Sequence, residues 1–594
     1  MSSNYPFISA LTQSKKRRIK SELLSNGKQK TNVKIAILGG STTDEIKDML
    51  EIFLLQNNIQ PELYQSEFNK YWEDVMFDNE KLVSFKPDII FIHTSNRNLS
   101  FDFNMGESEE SINQLLEKDY ARFEMMWKKI KEKYNCTIIQ NNFDLCFYRM
   151  LGNRDSWDYH GFNNYILRMN EKFAEYARKT ANFYISDLLY AQAKHGINNF
   201  SDPKYWYLYK YVISVPYIPY FAYNLANIIK SIYGKNKKAL VLDLDNTLWG
   251  GVVGDDGVEG IEIGHETSIG QAYTEFQKYL KNYLSMGVVL TINSKNDYEN
   301  AIKGLNHPEG TLKPNDFVVI KANWDPKALN ITKIAKELSL GEDALLFVDD
   351  NPAEREICNQ NNPLVVTPNI GEISDYIKTI DVGGYFEVTT FSNDDIVRNQ
   401  MYKQNKERNE FEASFQNYDE YLKSLKMTGI IGQFNDIYLQ RITQLTNKSN
   451  QFNLTTKRFT EAEMVEAKND KKRITLYGKL IDKFGDNGVV SVVIGKEEDK
   501  ETLEIELWLM SCRVLKRNME EAMLDELVKR AKEKGYRRLV GYYYKTEKNN
   551  MVRFLYKDFG FKLLSESENL DSVWELDITN YQNKNKFIEV KENE

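Results

Sequence analysis

The stretch ALVLDLDNTLWGG, residues 239–251, ends an apolar run with two carboxylates two positions apart, Asp243 and Asp245, then Asn246, Thr247 and a glycine pair. An apolar run of this length bounded by turn residues reads as a buried strand. Residues two apart on a strand share a face, so both carboxylates point into one crevice. Held that close, they repel unless a cation or proton is shared. A hard, oxygen-seeking ion such as Mg2+ satisfies them.

Downstream, the same pattern recurs in GVVLTINS (287–294), FVVI (317–320), ALLFVDD (344–350) and PLVVTP (363–368), with helical stretches between. This alternation predicts a parallel sheet wrapped by helices over 236–380. Its strand ends carry Ser294, Asp349 and Asp350, and the following DPKALN carries Lys327. Any one of these alone reads as a turn or helix cap. As an ordered set with Asp243, Asp245 and Thr247 they supply a nucleophile, an acid–base group, phosphate ligands and a metal site, which is what phosphoryl transfer needs. The intervals from Asp243 to Ser294 and on to Lys327 leave no room for a large cap domain, so the site is expected to be open.

Upstream, KIAILGG, DIIFIHT, CTIIQNN and FYISDLL alternate with amphipathic stretches, predicting another α/β domain over 1–235. Downstream, 381–429 is polar with sparse apolar positions at helical spacing, a helical connector, and 430–594 reads as α+β. The 594 residues suffice for several domains, each with its own core. A formal net charge of −8 argues against bulk nucleic-acid binding, and SKKRRIK (14–20) reads as a solvated helix face. Cys136, Cys146, Cys358 and Cys512 lack metal-type spacing, and no leader-like segment opens the chain, so reducing cytoplasm is expected. The segment at 212–229 holds two prolines and two asparagines, unlike a membrane span.

The DLDNT, NS, K and DD elements resemble those of the haloacid dehalogenase-like phosphotransferases. The resemblance implies a Rossmann-like domain in which Asp243 attacks phosphorus and Asp245 protonates the leaving oxygen and later activates water. Thr247, Ser294 and Lys327 bind phosphate, and Mg2+ is held by Asp243, the backbone carbonyl of Asp245, Asp349 and Asp350. Longer strings, among them LVLDLDNTLWGGVVGDDGVEGIEIG, FVDDNPAERE, LTNKSNQFNLTTKRF, MSCRV and NNMVRFLYKDFGF, are similar to the FkbH-like family over about 237–565. That similarity implies loading of a glyceryl unit from a phosphorylated three-carbon acid, such as a phosphoglycerate, onto the phosphopantetheine thiol of an acyl carrier protein, with phosphate released.

The order of elements after 430 is similar to that of Gcn5-related N-acetyltransferases, but the place of their glycine-containing coenzyme A loop reads MSCRVLKRNME. Cys512 there is the preferred acyl carrier, with Arg513, Lys516 and Arg517 as anion-binding groups. GGSTT with Ser41, and HTSNRN with His93, Asn96 and Asn98, look like a degenerate SGNH-hydrolase site without its late DxxH. The rival readings are a Mg2+-dependent phosphatase or phosphotransferase with an acyltransferase domain acting in surface-glycan or secondary-metabolite biosynthesis, and a non-enzymatic carrier-docking scaffold.

Overall fold

The computed structural model describes residues 12–592, except 28, 29, 450 and 547. The chain divides into two compact units. One runs to Lys230 and takes in residues 460–462, and the other holds the rest from Ser231 onward.

The first unit is built on five parallel strands, β1 (Thr31–Gly39), β2 (Ile59–Gln65), β3 (Ile89–His93), β4 (Thr137–Asn141) and β5 (Phe183–Ser186), in the order β2-β1-β3-β4-β5. Every residue of β3 and β4 is buried, because helices cover both faces. The longest helix, Glu109–Tyr134, begins at the capping Ser108 and stops where Asn135 turns left-handed. It buries Phe123, Met126, Trp127 and Ile130 at the spacing of one helical face.

The second unit opens with the sheet predicted from the aspartate motif. Its strands β6 (Ala239–Leu242), β7 (Val289–Ser294), β8 (Phe317–Ala322) and β9 (Leu345–Val348) are parallel and ordered β8-β7-β6-β9. β6 and β9 are buried throughout, so the charge at their ends is confined to the residues just past them.

The connector is helical over Arg398–Glu412 and Tyr418–Ser424. Arg408 of the first helix is buried and donates to both carboxylate oxygens of Asp482, at 2.7 and 2.9 Å, which fastens the connector to the sheet that follows. The forked geometry suits a bidentate buried pair.

That sheet is mixed. β10 (Met427–Gly432), β11 (Phe452–Asn453), β12 (Arg473–Asp482), β13 (Gly485–Glu497), β14 (Thr502–Met510), β15 (Arg538–Tyr543), β16 (Lys562–Glu566), β17 (Ser572–Asp577) and β18 (Ile588–Glu592) run in the order β16-β17-β15-β14-β13-β12-β10-β18, with β11 on β14. The neighbours β14 and β15 are parallel and pair only from Thr502 to Ile505 and from Arg538 to Gly541. Beyond that they fork, and the chain fills the fork itself. Phe452 and Asn453 pair with Met510 and Leu509, the Leu454 amide donates to the Trp508 carbonyl, and the Tyr544 amide donates to the Leu454 carbonyl. Among the described residues no helix is long and apolar enough to cross a membrane.

Candidate active site

Because β6 to β9 are parallel, their carboxyl ends lie along one edge, where open α/β sheets bind ligands. Asp243 follows β6, Ser294 ends β7, Lys327 opens the helix Lys327–Glu337 after β8, and Asp349 and Asp350 follow β9. The Asp243 amide donates to the Val348 carbonyl at 3.0 Å, which fixes the two acidic strand ends side by side. The Lys327 ammonium donates to Asp243 Oδ2 at 2.7 Å and to Asp349 Oδ2 at 2.6 Å. Burial alone would pull this lysine down, but the two carboxylates prevail and raise its pKa. Burial first, and then Asp243, push Asp349 and Asp350 up.

Asp243, Asp349 and Asp350 each offer an oxygen within 4.8 Å of the others. An all-carboxylate set at strand ends fits a hard divalent cation, and Mg2+ among them. The acidic turn is braced from behind by Arg355, which donates to the carbonyls of Asp349 and Asp350 at 2.7 Å each. Thr247 accepts from the Asp350 amide at 3.3 Å, so it links the first motif to the last. Ser294 is buried at its strand end.

The metal role implied for Asp245 falls to its backbone carbonyl, and its side chain stands apart. Its carboxylate is not among the three that converge. One oxygen accepts from Trp249 Nε1 at 2.9 Å and the Val253 amide at 3.0 Å, the other from Asn296 Nδ2 at 3.0 Å. Burial raises its pKa against these donors. The turn carrying Trp249 to Val253 depends on Gly251, whose φ of 89° favours glycine, and an added Cβ would meet the Asp256 carboxylate at 2.7 Å. Trp249, Asn296 and Arg355 were not singled out from sequence. As lone residues outside the acidic pairs, they carry no motif signal of their own.

Cys512 lies elsewhere. Its thiol donates to the Ser339 carbonyl at 3.2 Å, and Lys238, just before β6, is within its electrostatic range. Ser339 and Lys238 both precede strands of the parallel sheet, so Cys512 sits at the amino edge, while Asp243 sits at the carboxyl edge. Along β6 those edges are about 17 Å apart at the rise of an extended chain. Cys512 opens a single 3-10 turn, Cys512–Val514, and the long α-helix starts only at Met519, so the thiol is not at the N-terminus of that helix. Arg517 is buried and donates to Asp482 at 3.4 Å. The Lys516 amide donates to Glu520 and its carbonyl accepts from Tyr418, while Arg513 Nε donates to Ser511.

In the first unit, Ser41 follows β1 and its buried hydroxyl makes no hydrogen bond. His93 bonds Asn141 through Nδ1, and burial pushes it down to about 4, so it is neutral at pH 7. Asn98 donates to the Gly40 carbonyl, and Asn96 is clamped to Asp144, whose carboxylate accepts from its amide and side chain at 3.0 Å each. Burial pushes Asp144 up to about 6.

A parallel sheet with a lysine-bridged acidic edge is a phosphatase-type architecture, and the comparisons with known proteins agree. Residues 34–230 match the FkbH N-terminal domain. The crystallised N-terminal part of protein BF1531 from Bacteroides fragilis, which contains a phosphatase domain and is complexed with Mg, is 30% identical. The match covers 63% of this chain and 98% of that one, with a TM-score of 0.59. The chain belongs to the FkbH-like family of phosphatase-domain proteins. Shorter matches include the ribosomal-protein-S18-alanine N-acetyltransferase of Escherichia coli, at 11% identity over 26% of this chain and 97% of that one, with a TM-score of 0.21. Another is the aminoglycoside 6'-N-acetyltransferase of Enterococcus faecium, at 14% identity over 26% of this chain and 99% of that one, with a TM-score of 0.20. A comparison with curated proteins returned no match.

Proposed function

We propose that the protein is a Mg2+-dependent enzyme of the haloacid dehalogenase type that loads a glyceryl-type acyl unit from a phosphorylated three-carbon acid onto an acyl carrier protein thiol and releases phosphate. The observation that carries this reading is the Lys327 ammonium held between Asp243 and Asp349 at 2.7 and 2.6 Å. A nucleophile, a phosphate-binding cation and a metal-binding carboxylate thus meet at one sheet edge.

In this reading an Asp243 oxygen attacks phosphorus, the P–O bond to the leaving group breaks, and water then cleaves the aspartyl phosphate. Lys327 and Ser294 hold the phosphoryl oxygens. Bound Mg2+, held by Asp243, Asp349 and Asp350, neutralises charge on those oxygens. Asp245 gives its proton to the leaving oxygen and takes one from water, which requires it to turn away from Trp249 and Asn296. Cys512 attacks the acyl carbon of a donor that carries one phosphate as an acyl phosphate and a second on a hydroxyl, forming the C–S bond as the acyl C–O bond to phosphate breaks; the carrier thiol then takes the acyl group, and Asp243 removes the second phosphate. The protein works in the cytoplasm, and its N-terminal domain docks partners.

The test is to incubate the protein with a glyceric-acid donor bearing both an acyl phosphate and a hydroxyl phosphate, Mg2+ and a carrier protein, and to weigh every species intact. The expected result is a carrier heavier by one glyceryl unit together with free phosphate. Asp243→Asn should lower phosphate release by three orders of magnitude or more, and EDTA should abolish it until Mg2+ is restored. Undiminished turnover in that variant would reject the assignment.

A further inference from the structure

The amino edge of the phosphatase sheet gathers positive charge that the reactions above do not use. The Lys237 ammonium donates to the Asp343 carbonyl at 2.7 Å, and Lys548, from the other end of the unit, pairs with the Asp343 carboxylate at 2.5 Å. Lys238 lies beside them, within electrostatic range of Asp343, Lys548 and Cys512. Among the described residues its ammonium has no hydrogen-bond or ion-pair partner. Lys235 is within electrostatic range of Asp343 and Lys548 as well, so four ammonium groups gather around one carboxylate, and Cys512 stands beside Lys238. Like charges gathered in a half-buried place disfavour the folded state unless an anion joins them.

We propose that Lys237, Lys238 and Lys548 form an anion site that takes a phosphate group beside the Cys512 thiol. The excess of positive charge suits a phosphate dianion. Burial draws Lys237 down to about 8 and lowers Lys238 as well, and Lys548 adds to both effects, which a bound anion would reverse. The site explains why an accessible thiol is placed here, far from Asp243: the lysines hold the phosphate of an incoming molecule while its reactive end lies against sulfur. That molecule is either a phosphorylated small acid or the phosphopantetheine arm of a carrier. The inference goes beyond the proposed reaction and stands even if Cys512 never carries an acyl group.

Cys512 itself reports on the site, because the other three cysteines are buried. In the full-length protein, alkylation of Cys512 by iodoacetamide is followed by peptide mass, with inorganic phosphate or with sodium chloride at equal ionic strength. Phosphate in the millimolar range should slow alkylation at least threefold, and chloride should not. Lys238→Gln and Lys548→Gln should lose the protection, with Lys238→Arg restoring it. Asp243→Asn should keep it, which separates this site from the phosphoryl-transfer edge. Stronger protection by phosphoglycerate than by coenzyme A assigns the site to the small donor, and the reverse assigns it to the pantetheine arm. Equal effects of phosphate and chloride, or full protection in Lys238→Gln, would overturn the proposal.

Discussion

Lys327 does at the residue scale what two strands cannot do for themselves. Asp243 and Asp349 end adjacent parallel strands, and nothing else among the described side chains neutralises both. Replacing Lys327 with Met should leave two buried carboxylates facing each other, at a cost of roughly 3–5 kcal/mol. Mg2+ should recover most of that loss, so the rise in Tm on adding Mg2+ is expected to be larger in Lys327→Met than in the parent. Phosphate release should fall by about 10²- to 10³-fold, the scale for losing one electrostatic contact to the transition state. An equal Mg2+ response in the two proteins would show that the lysine is not what holds the acidic edge together.

Asp144 makes a second prediction at this scale. Its folded pKa of about 6 lies above the unfolded 3.8, so the folded state favours the protonated form. The stability this gives is complete below the unfolded value and is lost as pH rises through the folded one, about 3 kcal/mol at most. Asp144→Asn should therefore raise Tm relative to the parent at pH 7.5 and have little effect at pH 4.5. The reverse order, measured by scanning calorimetry, would mean that Asn96 stabilises the ionised form more than burial opposes it.

The acidic motif was legible in the sequence because strand-end carboxylates are rare enough to stand out against an apolar run. The donors that surround Asp245 were not, since Trp249 and Asn296 reach it only after a turn and a crossover have formed.

At the scale of elements, the fork between β14 and β15 decides what the last sheet can take up. Diverging parallel strands leave backbone donors and acceptors unpaired, a ladder that an extended, amide-bearing chain could join. Here the ladder is already occupied by Phe452 to Leu454, all of them buried. Acetyl-coenzyme A should therefore leave the fluorescence of the buried Trp508 unchanged and give no thermal shift that depends on β14. Saturable quenching of Trp508 that persists in Lys238→Gln would mean that the segment yields its place. β6 to β9 were legible as apolar runs, whereas PLVVTP, read as a further strand, makes only an isolated bridge from Val366 to Leu346, and β2, with its proline and charge, was not read. β11 was not, because two residues carry no period, and LTNKSNQFNLTTKRF reads as a polar loop until both neighbouring strands are present to pair with it.

At the scale of the whole second unit, the proposed reaction uses both edges of one sheet. Asp243 and its partners occupy the carboxyl edge, and Cys512 with Lys237, Lys238 and Lys548 the amino edge. No side chain can reach across, so nothing requires one polypeptide to perform both steps. Two inactive proteins, Asp243→Asn and Cys512→Ala, should complement each other in trans: mixed with donor, Mg2+ and carrier, they should yield the dephosphorylated acyl carrier that neither makes alone. The carrier would leave one molecule and finish on another. If the mixture stays as inactive as its components, the acyl group never leaves the molecule that first receives it, and the arm must pass around the sheet while still bound.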